Sequence, residues 1–226
     1  MSEKHTSSAP EKSEFELDRL MLFSDAVFAI AITLLVIDIK WPELPENGAI
    51  HWDRVFGPLL LSFLAFVLSF IIVGRYWAEH LRLFRLVRKY DQGLINHNLF
   101  FLFFIVLFPF AASAMWHIRI GFTLPIFVYL VNLVLVSGAN FYLCRYIFKR
   151  KPDLTVKGEE ETKKYFYFRS LHTTLAMLAM LVVVSIVALI IPNRPDYIGI
   201  ACGVSGGLSA RIANKKVARL KPKGHY

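Results

Sequence analysis

Asp25 sits inside an apolar run that covers residues 20–39 and follows Arg19. An ionisable side chain within such a run is costly in lipid and normally faces protein or water. As a functional group it would be an ion or proton site. As a structural group it would tie its helix to its neighbours. Ser24 and Thr33 add hydroxyls to the same run. Farther along, His80 follows Trp77, and Asn96, His97 and Asn98 open a third apolar run. All of these except Thr33 fall near one boundary, where they have the chemistry to hydrogen-bond Ser24 and Asp25, as polar groups in lipid require. The histidines lack metal-ligand spacing and there is no His-Glu-x-x-His, so no tightly bound metal is expected. Phosphate loops, dinucleotide fingerprints and nucleophile elbows are absent, so no enzyme and no cofactor are expected. The carbonyl-lined potassium filter Thr-Val-Gly-Tyr-Gly is absent too.

Helical geometry separates these groups. At about 100° per residue, Ile30, Leu34 and Ile37 fall within roughly 60° of one another, with Thr33 at the edge of that stripe. Asp25 lies roughly 140° away. Such a stripe either packs against lipid or a neighbour or lines a pore. If it lines a pore, Asp25 points into the protein. Arg19 falls near the stripe's face at the end of the run, placed to snorkel or pair.

The elements that position these residues are membrane helices. Hydrophobic residues make up 56% of the 226-residue chain, charged ones only 19%, and the mean hydropathy is +0.49. Soluble domains carry about 25% charged residues. Six runs approach the roughly 20 residues needed to cross a bilayer: about 20–39, 55–77, 94–116, 120–148, 170–191 and 197–213. The sixth is weak but carries Gly199, Gly203 and Gly207, a spacing that suits close helix packing. Residues 1–18 read as an N-terminal cytoplasmic segment, 19–213 as one six-helix domain, and 214–226 as a basic cytoplasmic tail. Of the 26 Lys and Arg residues, only Lys40, Arg54, Arg119 and Arg194 fall on one side of the runs. The positive-inside rule then puts both termini in the cytoplasm of a multi-pass cell-membrane protein, as in a bacterial inner membrane. The net charge of +9 is thereby explained without nucleic acid, which is not an expected partner. Cys144 and Cys202 lie in or beside apolar runs and read as reduced packing residues.

Arg19-x-x-x-Phe23-Ser24-Asp25, continuing through Ala26, Ile30, Thr33 and Leu34, resembles the signature of the prokaryotic transmembrane protein 175 family. These are potassium channels related to an animal endolysosomal channel. The resemblance extends through Tyr76-Trp77, His80, Arg82-Leu83-Phe84-Arg85, Asn98 and Pro109-Phe110. It implies an all-α membrane protein with six transmembrane helices per chain, assembled as a homotetramer with helix 1 lining a central pore. It implies that Ile30 forms a hydrophobic constriction, that Leu34 and Ile37 continue the lining, and that the Thr33 hydroxyl contributes to selectivity. Arg19, Phe23, Ser24 and Asp25, with Trp77, His80 and Asn98, are then structural. Ala29 departs from the animal pattern, which has Ser just before the constriction. Ala111-Ala112-Ser113 stands where many relatives place a Thr.

The expected function is a passive, potassium-preferring cation leak of modest selectivity. An apolar constriction of this kind gates by dewetting. Permeant potassium near Thr33 would be the only ligand, and other copies of the chain and membrane lipid the partners. The rival expectation is a proton-coupled secondary transporter with Asp25 as the titrating site.

Overall fold

The structure is a computed structural model that describes residues 9–37, 39, 52–117, 123–191, 197, 200–208 and 211. The expected basic tail, 214–226, lies outside the described residues. The expected N-terminal segment is described only from Ala9, where helix α1 (Ala9–Ile37) already begins. There follow α2 (Trp52–Phe84), α3 (Gln92–Val106), α4 (Phe108–His117) and α5 (Thr123–Arg145). A π-helical turn, Tyr146–Arg150, prolongs α5, and a short 3-10 turn, Pro152–Leu154, leads to α6 (Glu160–Ile190).

Among the described residues, five stretches are long and apolar enough to cross a membrane: Phe15–Ile37, Ser62–Phe84, Gln92–Ala114, Leu124–Arg150 and Glu160–Ile190. The chain is a helical membrane protein. The third stretch combines α3 and α4. Pro109 has no N–H for the carbonyl of Ile105, so the helix breaks at Leu107, and the Ala111 amide resumes the ladder by donating to the Leu107 carbonyl at 2.9 Å.

The expected second run, 55–77, lies within α2 (Trp52–Phe84), whose membrane-capable stretch among the described residues is Ser62–Phe84. The charged residues after Trp77 do not end the helix, because none is a Gly or Pro and two polar groups among them are satisfied inside: Glu79 pairs with Arg169 of α6, and His80 is buried against Asn98. Of the Gly199/Gly203/Gly207 pattern only the last two glycines are described. Gly199 lies outside the described residues, and a Cβ at Gly203 or Gly207 would meet nothing within 4 Å. At Gly206 a Cβ would lie at ordinary contact distance, 3.5 Å, from the Met180 sulfur. The sixth run is helical at 200–208.

Helix α5 is the hub, packing on α3, α4 and α6, while α1 packs on α2, α3 and α4. Phe28, Phe84, Phe101 and Phe108, one from each of α1 to α4, are among the largest fully buried side chains. Between α5 and α6, the Thr174 hydroxyl donates to the Ser137 carbonyl at 2.8 Å. The Ser69 hydroxyl of α2 donates to the Ala65 carbonyl, so the Tyr129 hydroxyl of α5 donates to Ser69 at 2.9 Å. These polar pairs join helices that lipid alone would not drive together.

Candidate functional site

Helix α1 has two unlike faces. Leu17, Ser24, Phe28, Ala31 and Leu35 recur at helical spacing and are buried. On the other side Ile30 is 58%, Leu34 39% and Ile37 70% exposed. These three share a face that nothing among the described residues covers, whereas Phe28, Ala31 and Leu35 are at most 2% exposed. Thr33 is exposed beside them. Its hydroxyl donates to the Ile30 carbonyl at 2.9 Å, which leaves the oxygen's lone pairs as acceptors on that side.

The buried face is held by a chain of hydrogen bonds across three helices. The Ser24 hydroxyl donates to the Leu20 carbonyl at 2.8 Å. Its oxygen accepts from the Asn98 amide of α3 at 2.9 Å. The Asn98 carbonyl oxygen lies 2.8 Å from Nε2 of His80 on α2. A carbonyl only accepts, so His80 carries its proton on Nε2. Aromatic rings enclose the imidazole: Phe84 stacks at 4.3 Å, and Phe28 and Phe101 lie at 5.6 and 5.9 Å. Ser24, Asn98 and His80 are all buried. In so apolar a setting each bond satisfies a group that would otherwise be stranded.

Asp25 takes a different place from the interior one the stripe geometry suggests. The fully buried motif residue is Ser24. Asp25 lies on the flank, half-buried, where its carboxylate accepts from the indole N–H of Trp77 at 2.9 Å. Arg19 is not brought to this group. It pairs with Glu16 at 3.5 Å and lies over the Phe15 ring. Phe23 is exposed, on the side of the Ile30 stripe.

Two arrangements escaped sequence reasoning. Glu79 of α2 forms an ion pair with Arg169 of α6, which also donates to the Tyr165 hydroxyl at 2.8 Å. The second surrounds Asp91, which has extended backbone (φ −139°) and caps α3 by accepting from the Leu94 amide at 2.7 Å. Its other oxygen accepts from the Tyr146 hydroxyl at 2.7 Å and faces Lys151 at 3.8 Å. The His97 ring stacks on Tyr146 at 4.1 Å. Only glycine fits at position 93, because a Cβ there would collide with the Tyr146 phenol. An Asp immediately before an apolar run is a helix-start signal that would have found the cap. Nothing local pointed to Tyr146.

Residues 19–109 match the family described as Endosomal/lysosomal potassium channel TMEM175. A potassium channel of Chryseobacterium sp. (strain P1-3) is 40% identical over 95 residues, 42% of this chain and 46% of that one. A potassium channel of Streptomyces collinus is 39% identical over 94 residues, 42% and 45% of the two chains. The human protein named endosomal/lysosomal proton channel TMEM175 is 30% identical over 153 residues, 67% of this chain and 30% of that one. The chain thus spans about half or less of these relatives' lengths. The crystal structure of a TMEM175 homolog from Chamaesiphon minutus, titled a lysosomal potassium-selective channel, superposes with a TM-score of 0.65 at 24% identity. That match covers 88% of this chain and 97% of the other, and it shows a shared fold.

Proposed function

We propose that this chain is the subunit of a passive, potassium-preferring cation channel, with four copies around a pore lined by α1. One observation carries the reading. The Ile30, Leu34 and Ile37 face of α1 is uncovered, while hydrogen bonds across α2 and α3 hold the opposite face. The match of residues 19–109 to the TMEM175 family supports the same assignment. The bacterial relatives named potassium channels support potassium as the ion.

In this reading four Ile30 side chains form the constriction, and Leu34 and Ile37 extend it over about 10 Å at 1.5 Å per residue. An apolar passage of that length gates by losing its water. The Thr33 oxygens, with lone pairs on the stripe side, replace part of the hydration shell. Potassium gives up that shell more easily than sodium, so discrimination is real but modest. Ser24, Asp25, Trp77, His80 and Asn98 position the helix and do not meet the ion. The protein is no enzyme and needs no cofactor beyond the permeant ion. It sits in the cell membrane with both termini cytoplasmic, a placement supported by the one-sided Lys and Arg distribution.

Flux from liposomes reconstituted with the purified chain tests this. Potassium gradients should dissipate faster than sodium gradients. Ile30→Asn, which wets the constriction, should raise flux severalfold and bring the two ions closer together. Unchanged flux in the variant removes Ile30 from the pore. Uptake only under an imposed proton gradient, abolished by Asp25→Asn, would establish the carrier reading instead.

A further inference from the structure

The loop after α2 and the turn after α5 are tied into one unit at one end of the bundle. Val87 and Thr155 form an antiparallel bridge. The Arg88 and Lys89 amides donate to the Leu154 carbonyl at 2.8 and 3.2 Å, and the Val156 amide donates to the Leu86 carbonyl at 2.9 Å. Leu86, Val87, Leu154 and Thr155 are buried. The backbone is therefore pinned and its charged side chains are turned outward. Over residues 85–91 and 149–157 these number seven basic against two acidic. Asp91 is spent on Lys151, Tyr146 and the α3 cap. Among the described residues, Arg85, Arg88, Lys89, Arg150 and Lys157 are exposed and form no ion pair, with Asp153 the remaining carboxylate.

Depth fixes what these charges meet. The membrane-capable stretches end at Phe84 and Arg150, on either side of the tied unit. Tyr165 and Tyr167 stand at the start of α6, and the Lys149 ammonium lies 5.3 Å over the Tyr167 ring. Tyrosines and lysines so placed mark the headgroup layer of a bilayer. The positive-inside tendency accounts for basic residues at this end. It does not require that they share one pinned scaffold with Asp91, one of its two acidic residues, already engaged.

We propose that this unit is a binding site for the phosphate-bearing headgroup of an anionic membrane lipid, gripped by Arg88, Lys89 and Lys157 with Arg85 and Arg150 beside them. Binding here adds electrostatic attraction at the surface, which grows with each basic residue and weakens with salt. It also holds the α2–α3 and α5–α6 connections together, the two places where the helices of this end join.

Native mass spectrometry of the purified protein in detergent, titrated with phosphatidylglycerol or phosphatidylcholine, reads the site without any need for ion flux. Failure of the channel reading therefore leaves the result interpretable. Phosphatidylglycerol should bind more tightly, and salt should weaken it. The triple variant Arg88→Gln, Lys89→Gln, Lys157→Gln should lose about fivefold in affinity per charge removed. The matched variant Lys215→Gln, Lys216→Gln, Arg219→Gln should lose far less. The single substitution Lys157→Gln, on an exposed turn beside Gly158 (φ 91°), repeats the test where folding is not at issue. Equal losses in the two triple variants, equal binding of the two lipids, or displacement by millimolar inorganic phosphate would overturn the proposal.

Discussion

Ser24 shows how one small hydroxyl can decide the placement of a helix. It is fully buried and takes the Asn98 amide proton, and through Asn98 it is linked to His80. Replacing it with Ala leaves the Asn98 N–H without an acceptor in an apolar interior, which costs about 1–3 kcal/mol. Removing the Asn98 amide in the same chain relieves that orphan. The double variant Ser24→Ala, Asn98→Ala should therefore be more stable than the sum of the single losses predicts, by about 1 kcal/mol. Thermal unfolding in detergent micelles supplies the four values. Strict additivity would mean the bond is geometric but carries no energy. Asp25 adds a second tie, between α1 and α2. Its half-buried carboxylate has the Trp77 indole as partner, on a flank away from the Ile30 stripe.

At the scale of elements, the two faces of α1 were legible because 3.6-residue periodicity acts within one helix. Ile30, Leu34 and Ile37 fall together by spacing alone. The grouping of Ser24 with His80 and Asn98 was legible too, since embedded polar groups at one depth must find one another. The Glu79–Arg169 pair was not, because 90 residues separate the partners and Glu79 looks like the end of an apolar run. Its side chains are 23% and 25% exposed, and it joins α2 to α6. Glu79→Gln leaves the guanidinium without its counter-charge. The cost should be about 2 kcal/mol, below the ~3–5 of a fully buried pair. Glu79→Leu with Arg169→Leu, which removes both charges, should recover most of that loss. If the double variant is less stable than Glu79→Gln, the pair contributes more than mutual neutralisation.

For the whole molecule, the end that carries the tied loops is also where acid should act first. Asp91 caps α3, accepts from Tyr146 at the end of α5 and faces Lys151 beyond it, so one carboxylate joins three segments. Burial alone would push its carboxyl up. The Tyr146 hydroxyl, the Leu94 amide and the Lys151 charge outweigh burial and hold it below the ordinary carboxylate value. A group whose pKa is depressed on folding adds stability above its unfolded value, near 4, and that stability is lost as pH falls through the folded one. The melting temperature should thus be flat near neutrality and decline on acidification. Asp91→Asn keeps an oxygen to cap α3 but removes the charge. At pH 7 the variant should melt below the parent, and the gap should narrow steadily toward pH 3. The absence of a gap at both pH values would show that the carboxylate works through its shape as a cap. The link between α3 and α5 would then rest on the stacked His97 and Tyr146 rings, with Gly93 keeping the space open for them.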